Sequence, residues 1–329
     1  MPESGSAPAG GRGARVVTFP ARTIPERSED GGDSILFSVI IPTHDRPAGL
    51  ARCLDALIAQ EFDRATFEIV VVDDGGKRGP REIIAARDSL VAITLLTQAN
   101  AGPAAARNAG ARVARGRFLA FTDDDCAPSP GWLSVLARVF EKSPESMFGG
   151  LTRNCVDRNA YADVSQALVS YLYEYYNDDG DVRFLTSNNM AMPADRFRAL
   201  GGFSARFPRA AAEDRDLCER WLRAGHLMSY APDAIVDHHH TLTLRSFWRQ
   251  HFNYGRGAHG FHVARATRGY GRLRIEPLRF YVGLVGHPIT RNRSLRGVQH
   301  AALMALTQIA NAAGFFYEAL VWRGTDRRS

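Results

Sequence analysis

The chain is poor in the features that settle a protein's class at a glance. Its 329 residues hold four scattered cysteines, Cys53, Cys126, Cys155 and Cys218, and no CxxC pair. That argues against a zinc ribbon or a disulfide framework, so the thiols read as reduced and the protein as cytosolic. No stretch offers the ~18 uninterrupted apolar residues of a spanning helix. The nearest, Val298–Trp322, is broken by Gln299, His300, Gln308, Asn311 and Glu318. Residues 1–34 are rich in Gly, Ser, Pro and Arg, lack the apolar core of a secretory signal, and read as a disordered tail. A P-loop, a GxSxG elbow, an HExxH helix and an internal repeat are absent from the sequence. Gly255-Arg256-Gly257-Ala258-His259-Gly260 matches GxGxxG, but it follows a helical aromatic segment rather than a strand, so it carries no dinucleotide site.

Charge is unevenly spread. Residues 241–329 hold fourteen arginines, no lysine and three acids, a net +11 that leaves −5 for the rest of a chain whose total is +6. Such a region could face nucleic acid, an anionic membrane or an acidic substrate, or form a solvated surface. No nucleic-acid recognition motif accompanies it, so nucleic acid is not expected as a partner.

The middle of the chain alternates. Buried-type strands over 36–41, 67–72, 91–96 and 117–122 are separated by helical spacing such as Leu50, Leu54, Leu57 and Ile58. This βαβ rhythm predicts an α/β fold with a mostly parallel sheet flanked by helices. Three polar clusters end those strands: Pro42-Thr43, Asp73-Asp74 and Asp123-Asp124-Asp125. Ligands of open parallel sheets bind beyond the carboxyl ends of strands, so the three share one rim. Further strands are expected at 148–152, 184–192 and 229–237, with helices at 132–141, 160–176, 194–200 and 213–224.

Three adjacent carboxylates repel unless a cation neutralises them, and Mg²⁺ or Mn²⁺ prefers such ligands, often together with phosphate. A solvated acidic turn is the plain alternative. Asp74 could accept from a ribose or base, and Arg107, after the small-residue loop Asn100-Ala101-Gly102, could grip a diphosphate. Glu213-Asp214 opens a helix, where acids suit the dipole but can also act as a general base. In His238-His239-His240, strand alternation puts His238 and His240 on one face; which of the three could bind a metal is left open.

Taken in order, Ser38–Pro47, Val70–Gly76, Asn100–Gly102 with Ala106–Gly110, Thr122–Asp125, Ser187–Met190, and Gly201-Gly202-Phe203 with Glu213-Asp214 resemble the family 2 glycosyltransferases of GT-A fold. The resemblance runs from about Phe37 to Thr241. It implies a GT-A catalytic domain over 35–241, followed by a basic, aromatic helical region over 242–329. It also implies an inverting transfer from a nucleoside diphosphate sugar, UDP ahead of GDP or TDP, to a glycan, lipid-linked or small-molecule acceptor. Pro42, Thr43, Asp45, Asp74, Gly102, Arg107, Asp123, Asp124 and Asn188 would surround the donor, with Asn189 beside Asn188 in the cleft. Asp123, Asp125 and His238 would hold Mg²⁺ or Mn²⁺; Asp214 would be the base, with Glu213 beside it. His44-Asp45 and Gly76 depart from the family's usual residues, which puts the base and sugar contacts in question.

Two rivals remain. A sugar-phosphate nucleotidyltransferase would carry a Gly-rich loop after the first strand, and Ile40–Pro47 has no glycine. A non-catalytic GT-A-like binding protein would have lost acids that this chain keeps. For the C-terminal region, its charge together with Phe280-Tyr281, Phe315-Phe316-Tyr317 and Trp322 leads to an expectation of attachment to the anionic inner face of the plasma membrane. Packing on the catalytic domain or in a homo-oligomer is the alternative.

Overall fold

Runs of Val, Ile and Phe that are apolar on both faces can only be stable with helices above and below them. In the computed structural model, which describes residues 15–19, 35–87, 90–178, 181–207, 209–271 and 275–326, they form the centre of a nine-stranded sheet. The chain order begins β1 (Arg15–Phe19), β2 (Phe37–Thr43), α1 (Pro47–Ile58), β3 (Phe67–Asp74), α2 (Arg81–Ala85), β4 (Ile93–Gln98), α3 (Pro103–Val113) and β5 (Phe118–Thr122). It continues through β6 (Cys126–Pro128), α4 (Trp132–Lys142), β7 (Met147–Asn154), α5 (Ala160–Tyr176), and the short hairpin β8 (Asn177–Asp178) and β9 (Asp181–Val182). Then come β10 (Asn189–Pro193), α6 (Ala194–Ala199), α7 (Glu213–Arg223), β11 (Met228–His238), α8 (Leu244–Thr267), α9 (Leu278–Arg291) and α10 (Leu295–Asp326).

The sheet order is β1-β4-β3-β2-β5-β10-β7-β11-β6, and β4, β3, β2 and β5 are mutually parallel. The chain moves outward from β2 to β4 and then returns to the other side of β2 as β5. That reversal is where parallel sheets open a crevice. β2 and β5 pair only as far as Ile40↔Phe121, so they have already parted at Pro42, which has no N–H to give a ladder.

Two cores sandwich the sheet. One packs Leu50, Leu54, Trp132, Leu136 and Phe140 from α1 and α4 against it; the other packs α3, α6 and α7 through Ala106, Phe197, Leu217 and Trp221. A third cluster joins α5 to the C-terminal helices through Val164, Leu168, Phe247, Phe280, Leu284 and Met304. There α8 and α10 approach very closely. A Cβ on Gly255 would lie 1.8 Å from the Asn311 carbonyl oxygen, and one on Gly314 would lie 1.9 Å from that of Phe252. The Gly255–Gly260 run is therefore a helix-packing surface.

Three expectations are corrected. Arg15–Phe19 is not part of a disordered tail: it is an edge strand, antiparallel to β4, because its β-branched residues can complete an open ladder. The rest of the expected tail, residues 1–14 and 20–34, lies outside the described residues. The strand expected over 184–192 begins only at Asn189, because side chains take the backbone partners before it. Asn177 Oδ1 accepts from the N–H groups of Arg183 and Phe184, and the Tyr173 hydroxyl accepts from that of Thr186. Third, Phe280 and Phe315 are not offered outward. Phe280 is buried in the third cluster, and Phe315 packs on His259 and His262. Among the described residues, no helix is long and apolar enough to cross a membrane.

Candidate active site

The parallel register aligns Thr43 with Asp73 and Asp74 with Gln98, so the strand-end clusters do share one rim. The acidic run after β5 does not act there as one unit. Its three carboxylates have different partner sets, although Asp124 and Asp125 share Arg46.

Asp124 turns inward. Its Oδ2 accepts from the Thr43 hydroxyl at 2.8 Å and its Oδ1 from Arg46 Nη1 at 3.2 Å. Burial pushes its carboxyl up to about 6, with the Arg46 charge opposing the rise. Asp124 and Thr43 therefore satisfy each other rather than facing the crevice. Pro42 is likewise buried within β2.

Asp125 gathers cations. The three-residue strand β6 pairs with the end of β11, placing Cys126 opposite His238. This brings His238 Nε2 to 3.3 Å from Asp125 Oδ1, and His240 Nδ1 to 3.0 Å from Oδ2. The two rings stack at 5.2 Å. His239 instead donates its backbone N–H to the Asp125 carbonyl, and its ring lies elsewhere. One ligand atom from each of Asp125, His238 and His240 falls within 4.8 Å of the others, a spacing that suits a metal ion. Arg46 Nη1 sits 2.6 Å from Asp125 Oδ2, so a positive group already occupies the neighbourhood a cation would fill. Burial opposes ionisation, but hydrogen bonds from His238 and His240 and the Arg46 charge outweigh it and hold Asp125 well below the usual carboxylate range.

Asp123 lies apart from this cluster, contrary to the expected metal set. Its Oδ1 accepts from Arg107 Nη2 at 2.6 Å, and Arg107 Nη1 donates to Glu213 Oε1 at 3.2 Å. Arg107 is 2% exposed. Its guanidinium is a buried strut between β5 and α7: Nη1 and Nη2 go to carboxylates and only the buried Nε is without a partner, where an open grip on a diphosphate was expected. Burial works against its charge, but Asp123 and Glu213 raise its pKa further.

Glu213 is closed too: Oε2 accepts from the Ala211 N–H at 2.7 Å, and the side chain is 5% exposed. Burial first, then the Asp214 charge, push its carboxyl up to about 7. Its carboxylate is thus engaged within the protein, next to Asp214 in the chain. Asp214 is only half-buried, and burial raises its pKa as well. Ala212, just before this pair, holds a left-handed φ of 69°, a strained entry that surrounding contacts must maintain. Gly257 of α8 supplies one such contact, since a Cβ there would fall 2.5 Å from that of Ala211.

Around the donor side, Asp74 accepts from Gln98 Nε2 and from the N–H groups of Ala101 and Gly102, at 2.8 to 2.9 Å. It shapes the loop, and three of its acceptor positions are turned to the protein where a ribose contact was expected. Gly102, at φ 88°, lets that loop turn into α3, whose N-terminus then faces the rim. Asp45 is exposed at the mouth, at φ 54°, and accepts from the Arg78 N–H. Asn188 sits just before the Asn189↔Thr122 pair, its Oδ1 buried and without a partner. Asn189 is a staple between strands, bonded to Trp132, Leu151 and Ala234, and does not line the cleft.

Residues 38–201 match the model of "Glycosyl transferase family 2". The chain belongs to this family. It is 37% identical over 117 residues to glycosyltransferase AglE of Haloferax volcanii, covering 34% of this chain and 38% of that one. It spans less than half the length of the first curated relatives it matches. Its fold is GT-A. A mannosyltransferase from Pyrobaculum calidifontis, solved with GDP-Man and Mn²⁺, superposes with a TM-score of 0.54 at 18% identity, covering 88% of this chain and 79% of that one. TarS 1–349 of S. aureus, solved with UDP-GlcNAc, gives 0.53 at 14%, covering 88% and 92%.

Within this family 2 domain, sequence reading missed contributions from outside it. His240 Nε2 is 3.1 Å from Gln250 Oε1, and Gln250 Nε2 donates to the Tyr254 hydroxyl at 3.1 Å. Both belong to α8, in the region to which the sequence assigned no part in the site. The only available signal was their i, i+4 spacing, which places them on one helix face. Tyr254 is also close enough to Asp214 and Glu213 for their charges, after burial, to raise its pKa.

Proposed function

We propose that the protein is an inverting glycosyltransferase. It moves a sugar from a nucleoside diphosphate sugar, a UDP-sugar first, to an acceptor hydroxyl. The observation that supports this most is the grouping of Asp125, His238 and His240, with Asp123 of the same acidic run tied through Arg107 to Glu213, the neighbour of a half-buried Asp214. A divalent cation held by those three residues would neutralise charge on the leaving diphosphate. The mixed carboxylate and imidazole set fits Mn²⁺ better than Mg²⁺, which favours oxygen alone.

Asp214 takes the proton of the acceptor hydroxyl as that oxygen attacks the anomeric carbon from the face opposite the diphosphate. The bond to the diphosphate breaks and its electron pair leaves with the phosphate oxygen. The raised pKa of Asp214 makes it a stronger base than an ordinary Asp. Glu213 and Asp123 keep Arg107 fixed beside it. The N-terminus of α3, opened by Gly102, offers N–H groups to an anionic donor. The Pyrobaculum enzyme's GDP-Man with Mn²⁺ and TarS's UDP-GlcNAc are donors of the expected chemistry.

Attachment at the inner, anionic face of a membrane belongs to the same reading. Leu295, Val298, Ile309, Phe316 and Leu320 are exposed at helical spacing along α10. Arg293 and Arg296 flank the start of that stripe. Salt-sensitive sedimentation with anionic vesicles tests this part alone. For the activity, UDP-, GDP- and TDP-sugars are screened for binding and turnover with Mn²⁺ and with Mg²⁺. Failure of every nucleotide sugar to bind in the presence of either ion would end the glycosyltransferase proposal.

A further inference from the structure

A cavity of about 350 Å³ opens between the end of α5, the segment after the β8–β9 hairpin, α7 and α8. Arg183, Arg215, Arg223 and Arg265 face it, against two carboxylates, Glu219 and Glu276. Those acids do not satisfy all four arginines, and Arg183 pairs instead with Asp181. Glu219 serves two of them, Arg265 at 2.9 Å and Arg223 at 3.5 Å. Glu276 is taken by the hydroxyls of Tyr176 and Tyr175 at 2.9 and 3.3 Å. Among the described residues, Arg215 has no carboxylate partner. Its guanidinium lies over the rings of Phe261 and Tyr176, 4.8 and 5.3 Å from their centroids. Its Nη2 makes a long hydrogen bond to the Tyr176 hydroxyl at 3.4 Å; stacking fixes the plane of the guanidinium and leaves its other N–H groups for an oxyanion.

Two residues that line the cavity each hold a buried polar atom without a hydrogen-bond partner: Glu219 Oε2, an acceptor, and His262 Nδ1. Buried polar atoms are rarely left unmade, so two in one recess mark a place built for a polar occupant. An anion alone would not suit Glu219 Oε2, whereas a hydroxyl would. Arg215 directly follows Asp214 on α7.

We propose that this recess binds the phosphate of a phosphorylated, hydroxyl-bearing acceptor: the guanidiniums take the phosphate, and Glu219 and His262 take hydroxyls. The proposal rests on the glycosyltransferase reading, because its consequence is to hold an acceptor hydroxyl at Asp214. The phosphate could belong to a soluble sugar phosphate or to a lipid-linked acceptor.

The test uses the full chain with glucose 6-phosphate, glucose and inorganic phosphate as probes, followed by calorimetry or ³¹P NMR in the presence of saturating UDP. Glucose 6-phosphate is expected to bind more tightly than either fragment. Arg215→Gln should weaken it about tenfold or more, the loss of one charge-assisted contact. UDP binding by that variant should not change, which also reports that it is folded. Arg265→Gln serves if Arg215→Gln is not folded. Asp125→Asn should leave probe binding intact. Arg215-dependent sedimentation with phosphatidic acid vesicles, in place of soluble binding, assigns the phosphate to a lipid. Probe binding that is unaffected by both arginine variants, or that UDP displaces fully, overturns the recess, as does the absence of binding in both arms. If no nucleotide sugar binds while Arg215-dependent phosphate binding persists, the transferase reading fails and the recess stands.

Discussion

The strand-end rim and the C-terminal helical layer manage charge in opposite ways. At the rim, four acids are matched to cations: Asp123 and Glu213 to Arg107, and Asp124 and Asp125 to Arg46. In the layer from residue 241 onward the sequence is net +11, yet its buried ionisable groups include histidines that burial keeps neutral. The rim is held by paired charge, so removing one partner strands another inside the protein. The layer is held by close apolar contact, and it touches the rim through Gln250, Tyr254 and Gly257. Geometry at the rim thus depends on a region whose own composition carries no catalytic signature.

The largest way to sharpen this contrast is Asp214→Asn. Turnover should fall by roughly 10²- to 10⁴-fold with donor affinity nearly unchanged. Steady-state kinetics beside UDP calorimetry reads this, and transfer at wild-type rate would remove Asp214 as the base.

Acid tests the layer. His251 is 1% exposed, its Nε2 lies 3.2 Å from the Ser165 hydroxyl, and burial lowers its pKa from 6.5 to about 4. The unfolded chain therefore binds more protons between those values, so His251's contribution to stability is complete above pH 6.5 and is lost as pH falls toward 4. The loss is on the order of 3 kcal/mol. Denaturant melts across that window should show a steeper decline for the wild type than for His251→Gln; identical slopes would count against a neutral buried His251.

Gln250→Ala separates the two regions most directly. It removes the acceptor of His240 Nε2 while leaving every proposed metal ligand in place. Mn²⁺ affinity by calorimetry or electron paramagnetic resonance should weaken roughly 10- to 100-fold. Unaltered affinity would mean that α8 does not tune the cluster. Gly255→Ala has the smallest expected effect, a stability loss of about 1–3 kcal/mol from forcing α8 away from α10. An unchanged melting temperature would show that the two helices can separate without cost.

Much of the molecule could be read from residue order. The β-α alternation gives the parallel block and its rim because apolar runs and helical spacing are local signals. The family resemblance put Asp125 and His238 in one expected metal set with Asp123, and the face-sharing of His238 with His240 followed from strand alternation. What composition could not give is the assignment of partners. Asp74, Asp124, Arg107 and Glu213 carry the right chemistry for ligand contact, yet each spends its polar atoms inside the protein. Which of several neighbouring carboxylates stays open depends on contacts 16 to 106 residues away, such as Arg107 to Asp123 and to Glu213. The β6–β11 pairing that delivers the histidines rests on three residues too few to signal a strand. The sequence by itself determined the fold, the rim and the residue types available for chemistry. Only the tertiary structure decided which of them remain free to act, because satisfying a buried charge is a property of the whole packed neighbourhood and not of its own segment.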